Sequence, residues 1–483
     1  MSASTDQRLP HRETLIIVFG VLLSVFLGAI SQSITASALP TIGRALNATG
    51  DLSWIITSYM LTQTAATPLF GKFSDTYGRS KAIQLALVIF VIGSVACALA
   101  PNIGTLVAAR ALQGIAAGGL TAIPMTVLGD LAPPKMRARY YTYFSMTYIT
   151  AGAMGPALGG FFAEYVHWSA IFWFGVPVGI VAIFITRHVL KRLPPYHRHH
   201  KLDLAGAILI VLASLSFMFV FTAGGKTYAW TSVQILLPAL ASPLLWMAFI
   251  WRQQTAEEPL LPLGIIANPI VRWAIISNAF GWGAAIGLNI YLPIWLQTIG
   301  GMRPAESGLS LMILMIMLNL GALISAQITS RITHYKRPPM VALIICMGST
   351  LWLAWHAQGM GFWELQIAVG LFGLCFGPVA PVTSVAMQNT VAQHQLGTAV
   401  GAMQFGRGLL TSFVVALFGI IVLHVLPDAS GAGAEALKNA TSQEDAVTAF
   451  RTLFLAATGL LAISLVTLML MEERPLLTTH KES

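Results

Sequence analysis

Long apolar runs separated by short polar segments dominate the pattern of this chain. Several runs approach or exceed the roughly 20 residues that an α-helix needs to cross a hydrocarbon layer of about 30 Å. Apolar stretches of this length are typical of membrane spans. The pattern predicts fourteen spans, near residues 14–38, 53–70, 82–100, 104–128, 140–163, 169–188, 204–222, 233–251, 273–297, 307–329, 339–357, 363–387, 397–425 and 450–471.

Two polar segments divide the predicted spans into groups of six, two and six. We therefore predict an N-terminal six-helix bundle at 14–188, a central linker with two inserted helices at 189–272, and a C-terminal six-helix bundle at 273–471. The fold class is an all-α polytopic membrane protein. Two six-helix units are typical of transporters whose halves move around a binding site near the membrane midplane.

Composition and charge agree with a membrane protein. Hydrophobic residues make up 56% of the 483 residues and charged residues 9%, whereas soluble domains carry about 25% charged residues. When the loops are assigned alternately from a cytoplasmic N-terminus, most of the 27 Lys and Arg residues lie on the inner side. This bias predicts cytoplasmic termini and explains the net charge of +9 without a nucleic-acid partner. Short loops favour a bacterial cytoplasmic membrane.

The sequence predicts neither a metal site nor a cofactor. Its three cysteines, Cys97, Cys346 and Cys375, each lie inside an apolar run without the spacing of metal ligands. It contains no phosphate-binding loop that would indicate ATP, and no hydrolase motif. We therefore predict that the protein is not an enzyme and that no residue is catalytic.

The strongest local motif is the segment after the second span, residues 71–81. Gly71 and Gly78 permit a tight turn between two antiparallel helices. Asp75 can lie against the positive N-terminal end of another helix, and Arg79 can pair with a nearby acid. Such a clasp would hold the cytoplasmic side closed until it breaks. The alternative is a polar turn that carries only inside charge.

A second motif lies in the fourth span. An arginine near mid-membrane, here Arg110, costs about 2.5–3.5 kcal/mol on insertion scales, so its side chain must face protein or water. Gln113 follows three residues later on a neighbouring face. Gly114 and Gly118 have the spacing of close helix contacts. The alternative is that Arg110 extends to the outer interface.

The third motif lies in the fifth span and combines a proline with glycines. Pro156 removes a backbone donor and bends the helix. Gly155, Gly159 and Gly160 would let a neighbouring helix pack against the bend.

Together with the segments Ala38–Pro40, Trp54–Tyr59 and Phe172–Gly179, these three motifs resemble the major facilitator superfamily, and within it the fourteen-helix drug:proton antiporter branch. The resemblance extends over nearly the whole chain. It implies a fold of two helical bundles, alternating access and export of multiple drugs.

The resemblance also implies roles for individual residues. Asp75 and Arg79 would belong to the gating loop. By analogy, their partners would be the start of the thirteenth helix near Gly397 and the acid at the end of the fourth, Asp130.

The chain departs from the branch at a position that matters for coupling. Ser31 stands where the branch usually has an acid, and serine does not titrate in the accessible pH range. Arg110 therefore lacks its obvious partner. Either an acid at a span end, such as Glu164 or Asp51, reaches the cavity, or the guanidinium binds an anionic group of the substrate.

Other polar residues within the spans are candidates for lining a substrate cavity. Polar groups are unfavourable in lipid, so they should point inward. For each one, the alternative is a helix–helix hydrogen bond without a ligand role. These candidates are Gln32, Thr35, Asn278, Trp282, Asn289, Gln404 and Arg407.

The leading hypothesis is a secondary active transporter that exports small hydrophobic or drug-like compounds and is coupled to protons. Its partners would be the substrate, the bilayer and protons. One alternative is transport of a small anionic metabolite by Arg110 and Arg407 without proton antiport. Another is a non-transporting membrane sensor on the same scaffold.

Overall fold

The computed structural model describes residues 11–46, 52–132, 134–191, 203–225, 227–302, 304–332, 334–356, 361–425 and 443–475. These residues are almost entirely helical. The helices are α1 His11–Ala45, α2 Ser53–Tyr77, α3 Arg79–Ala98, α4 Ile103–Leu131, α5 Pro134–Tyr165, α6 Ala170–Leu190, α7 Leu204–Ala223, α8 Val233–Thr255, α9 Leu263–Ala267, α10 Pro269–Thr298, α11 Pro304–Arg331, α12 Arg337–Trp355, α13 Phe362–Phe376, α14 Val379–Thr390, α15 Leu396–Val425 and α16 Gln443–Leu470.

Twelve spans in the described part of the chain are long and apolar enough to cross a membrane, with α13 and α14 forming one of them. The helices α2 and α5, with 25 and 32 residues, are as long as these twelve spans, but their composition is more polar. The prediction of an all-α membrane protein is confirmed. The total of fourteen spans stays a prediction.

The helices belong to two compact units. One contains α1 to α6 and the start of α15 up to Gly401, and the other contains α7 to α14, the rest of α15 and α16. The central pair α7 and α8 therefore groups with the second unit by its contacts. The boundaries predicted at residues 189 and 272 stay a prediction.

The two units repeat the same packing order. In the first, α4 packs against α2 and α3, and α6 packs against α1 and α3. In the second, α13 packs against α11 and α12, and α16 packs against α10 and α12. This is the internal repeat expected of a fold built from two six-helix units.

One predicted span is interrupted in the structure. The predicted span 363–387 is divided into α13 and α14 at Gly377 and Pro378. Pro378 has no N–H to donate to the preceding turn, which accounts for a break at this point.

The helix α4 begins with a reciprocal cap in which Asn102 Oδ1 accepts from the Thr105 N–H at 2.9 Å.

Candidate functional site

The carboxylate of Asp75, near the end of α2, caps the first turn of α15. Its Oδ1 accepts a hydrogen bond from the N–H of Gly397 at 3.0 Å. Its Oδ2 accepts from the N–H and the Oγ1 of Thr398 at 2.6 and 2.7 Å. The first N–H groups of a helix lack partners within the helix and carry the positive end of its dipole. The structure therefore places Asp75 where a negative charge is most favourable.

Arg79, the first residue of α3, joins Asp75 to a second acid. Its Nη1 donates to Asp75 Oδ1 at 2.5 Å, and its Nε donates to Asp130 Oδ2, at the end of α4, at 2.8 Å. The three side chains are between 7% and 15% exposed, so water screens these ion pairs less than surface pairs. We call Asp75, Arg79, Asp130 and the first turn of α15 the clasp. It ties α2, α3, α4 and α15 together at one point.

The predicted gating loop is wrong in its extent. Residues 71–77 continue α2, and the turn consists of Gly78 alone, whose φ of +92° favours glycine. Gly71 is needed for another reason: a Cβ there would lie 2.4 Å from the carbonyl oxygen of Gly397. A Cβ on Gly397 would in turn lie 2.6 Å from the carbonyl oxygen of Gly71. This close approach brings α15 within reach of Asp75.

Arg110 lies inside the first unit with no exposed surface. Its Nε donates to the carbonyl oxygen of Ile55 at 3.2 Å. Its Nη1 donates to Ser31 Oγ at 3.2 Å and to Gln113 Oε1 at 2.5 Å. The guanidinium carbon lies 4.1 Å from the centre of the Tyr59 ring. The side chain thus points into the helix bundle and does not extend to an interface.

The positive charge of Arg110 is balanced by dipoles and an aromatic ring. Among the described residues, no carboxylate forms a salt bridge with it. A carbonyl, a hydroxyl and an amide oxygen accept its hydrogen bonds, and the ring of Tyr59 adds a cation–π contact. Within the described part, its Nη2 has no hydrogen-bond partner. Gln113 extends the network, because its Nε2 donates to Ser94 Oγ at 2.7 Å.

Ser31 and Gln113 were separate candidates from the sequence, and the structure places both against Arg110. Sequence reasoning missed Tyr59 and the Ile55 carbonyl. Tyr59 belongs to the segment Trp54–Tyr59, which is part of the family resemblance. Only the structure shows that its ring lies against the guanidinium of Arg110. Of the predicted polar residues of α1, Thr35 donates to the carbonyl oxygen of Ser31 at 2.7 Å, a bond within the helix. Gln32 is half-buried.

Glu164 and Asp51 are the two acids that the sequence offered in place of an acid at position 31. Glu164 is exposed in the last turn of α5, and Asp51 lies outside the described residues.

The glycines of α4 and α5 divide into those that touch another helix and those that do not. A Cβ on Gly114 would lie 2.3 Å from the Tyr59 carbonyl oxygen, and one on Gly118 would lie 2.7 Å from that of Gln63. These glycines allow α2 and α4 to pack closely.

In α5, a Cβ on Gly155 or Gly159 would lie 2.0 or 2.1 Å from a serine hydroxyl of α1, Ser33 or Ser37. Gly160 has nothing within 4 Å of its Cβ position, and Pro156 is exposed. The predicted role of Gly160 in close packing is therefore wrong, because it lies on the open face of the helix.

The remaining candidates lie in the second unit. Asn278 of α10 donates to Thr383 Oγ1 of α14 at 3.0 Å, a contact between helices. The guanidinium carbon of Arg407 lies 4.7 Å from the centre of the Trp282 ring. Asn289 is half-buried, and the Nε2 of Gln404 is buried without a hydrogen-bond partner in the described part. The structure thus brings Arg407 and Trp282 together.

A membrane bundle with repeated six-helix packing and a partly buried clasp at a short inter-helix turn is typical of a polytopic transporter. The model of the major facilitator superfamily matches residues 21–416. The chain belongs to this superfamily, so it is an integral membrane transporter and not an enzyme.

Curated relatives are similar over most of their length. Multidrug resistance protein 3 of Bacillus subtilis (strain 168) is 29% identical over 413 residues, which cover 85% of this chain and 80% of the relative. The multidrug transporter protein MdtP of the same organism is 29% identical over 411 residues, 84% of this chain and 75% of the relative. The efflux pump dotC of Dothistroma septosporum (strain NZE10 / CBS 128990) is 29% identical over 406 residues, with coverage of 83% and 70%.

Solved structures support the fold. The human organic anion transporter MFSD10 (TETRAN) matches with a TM-score of 0.61 and 15% identity, over 94% of this chain and 99% of the other. An outward-facing bacterial homologue of the iron transporter ferroportin matches with a TM-score of 0.65 and 13% identity, over 96% and 100%. At these identities the likeness concerns the fold alone.

Proposed function

We propose that this protein is a secondary active transporter that exports small, hydrophobic, drug-like compounds by alternating access. Family membership supports the transporter class, and the relatives named for multidrug resistance or efflux support the substrate class. The proposed location is a bacterial cytoplasmic membrane with both termini in the cytoplasm.

The observation that carries this proposal is the clasp. Asp75 and Arg79 hold the first turn of α15, and α15 continues past Gly401 into the second unit. A contact that must break before α15 can move away from α2 is a two-state element of the kind alternating access requires. A static sensor would have no use for a charged contact of this kind at the start of a helix that belongs to both units.

We further propose that export is coupled to protons through a carboxylate other than one at position 31. Ser31 offers Arg110 a hydroxyl and not a carboxylate, whereas Asp75 and Asp130 share one arginine in a partly buried cluster. Without its negative charge, Asp75 would no longer be held by the positive start of α15, and the clasp would weaken.

The experiment uses everted vesicles that contain the protein. A pH gradient is imposed, and its dissipation is followed after addition of lipophilic cationic, neutral or anionic compounds. The proposal expects drug-dependent proton release and drug accumulation that collapses with the gradient. Asp75→Asn should lower both signals. Drug transport that leaves the gradient untouched would refute proton coupling, and absence of drug transport would refute the substrate class.

A second candidate function is transport of a small anion bound by Arg110 within the first unit. The observation in its favour is a fully buried Arg110 that has no carboxylate partner and an unsatisfied Nη2 among the described residues. Such a guanidinium could bind a substrate carboxylate or phosphate once the bundle opens. Under this alternative, Arg110→Gln abolishes uptake of anions, and anion uptake that survives this substitution would refute it.

A further inference from the structure

A groove on the second unit runs between α11 and α12. Both helices pack on α13 but hardly on each other, so a space of about 750 Å³ opens between them. Leu374, Cys375 and Pro378 form its floor. Its volume lies within the range of about 300–1,000 Å³ that accommodates drug-sized ligands.

The walls of the groove are apolar and open to the surroundings of the bundle. Ile324 and Ile328 of α11 are 44% and 39% exposed, and Ile345 of α12 is 42% exposed. Both helices qualify as membrane spans. Branched aliphatic side chains exposed on a membrane helix are suited to contact with acyl chains.

One end of the groove is cationic. Arg337, the first residue of α12, lines the groove and is exposed, and no described residue forms an ion pair with it. His334, which also lines this end, contacts Glu473 at 3.2 Å. The next two residues, Pro338 and Pro339, have no N–H groups, so an anion here would be bound by side chains. The loop belongs to the side that charge bias assigns to the cytoplasm.

A polar atom in the wall of the groove lacks a hydrogen-bond partner among the described residues. Ser325 lines the groove and is 2% exposed, and within the described residues its Oγ makes no hydrogen bond. A buried serine in a helix commonly bonds to the carbonyl one turn earlier, and this one does not. It lies seven residues before Ile332 and therefore about 10 Å deeper along α11. An acceptor on a bound molecule would satisfy it.

We propose that this groove binds an anionic phospholipid. The phosphate contacts Arg337, an ester carbonyl accepts from Ser325, and an acyl chain lies against the isoleucines of α11 and α12. Each region of the lipid meets a matching surface: charge against charge, acceptor against donor, and hydrocarbon against aliphatic side chains. Basic pockets between membrane helices on the cytoplasmic side bind anionic headgroups in this way. The inference does not depend on the transported substrate.

The test measures lipid binding to the purified full-length protein by native mass spectrometry, with phosphatidylglycerol and phosphatidylcholine as probes. Wild-type protein is expected to retain phosphatidylglycerol in preference to phosphatidylcholine. Arg337→Gln should weaken phosphatidylglycerol binding about tenfold, the effect of losing one charge-assisted hydrogen bond. Arg337→Lys should keep most of the binding. The control Arg187→Gln removes an exposed arginine at the end of α6, outside the groove, and should change nothing.

Two outcomes would overturn the charge contact: no loss in Arg337→Gln, or an equal loss in Arg187→Gln. A second pair of variants tests the chain contact with the charge intact. Ile328→Trp and Ile345→Trp fill the groove from positions that are 39% and 42% exposed, and should also lower lipid retention. If these variants retain the lipid as the wild type does, the proposal fails. It also fails if inorganic phosphate displaces the lipid, because the groove then binds a simple anion.

Discussion

Replacement of Asp75 by asparagine tests the clasp with almost no change in volume. The carboxylate accepts three hydrogen bonds from Gly397 and Thr398 and one from Arg79. A hydrogen bond to a charged group contributes about 1.5–3 kcal/mol, and a charge at a partly buried helix end up to about 2 kcal/mol. Asparagine keeps one acceptor oxygen but turns an NH₂ group toward donors. Because such terms are not additive, we expect a loss of about 2–4 kcal/mol.

This loss has a direct readout in the exchange of backbone amides. The N–H groups of Gly397 and Thr398 lie in the first turn of α15, where no carbonyl of the helix can protect them. Their protection therefore depends on Asp75. A loss of 2–4 kcal/mol should accelerate their exchange by about 30- to 1,000-fold. Hydrogen–deuterium exchange mass spectrometry of the peptide that covers residues 396–401 measures the effect.

A matched control comes from another helix cap. Asp203 caps α7 by accepting from the N–H of Gly206 at 3.0 Å and is paired with Arg252 at 3.0 Å. Asp203→Asn should loosen the start of α7 and leave residues 396–401 unchanged. If Asp75→Asn leaves the exchange of Gly397 and Thr398 as in the wild type, the clasp does not hold this turn and the reasoning is refuted.

Three further predictions concern other contacts of the first unit. Gly155→Ala should lower the melting temperature of the purified protein, since overpacking costs about 1–3 kcal/mol. The control Gly152→Ala, at a position where nothing lies within 4 Å of the added Cβ, should leave the melting temperature unchanged. Equal effects of the two substitutions would contradict the close helix contact at Gly155. Arg79→Lys should reduce drug transport strongly, because one ammonium cannot reproduce two directed guanidinium bonds to two acids; wild-type transport would contradict this role. Ser31→Asp should raise the melting temperature above that of Ser31→Asn, because a carboxylate would stand beside the buried charge of Arg110; the reverse order would show that the dipoles already suffice.

The order of apolar runs and motifs was sufficient to predict the class of fold, because membrane spans are set by local composition. Each span satisfies its own backbone hydrogen bonds, so its existence depends little on distant residues. The residues of the clasp could also be identified from the chain, since a charged pair with two glycines is unusual between apolar runs. The extent of α2 could not be predicted from the chain. Residues 71–77 look like a polar turn, yet α2 continues through them.

The amino-acid sequence alone was enough to predict a helical membrane transporter and to single out the charges Asp75, Arg79 and Arg110. The contacts of Arg110 became visible only in the packed helices. The partners of Arg110 include a ring and a carbonyl from α2. For Asp75 the family resemblance already pointed to the start of α15 near Gly397, and the structure gives the hydrogen bonds that join them. The physical reason is that a buried charge is stabilised by whatever dipoles the packing brings within about 3 Å, and those come from helices that are distant in the chain.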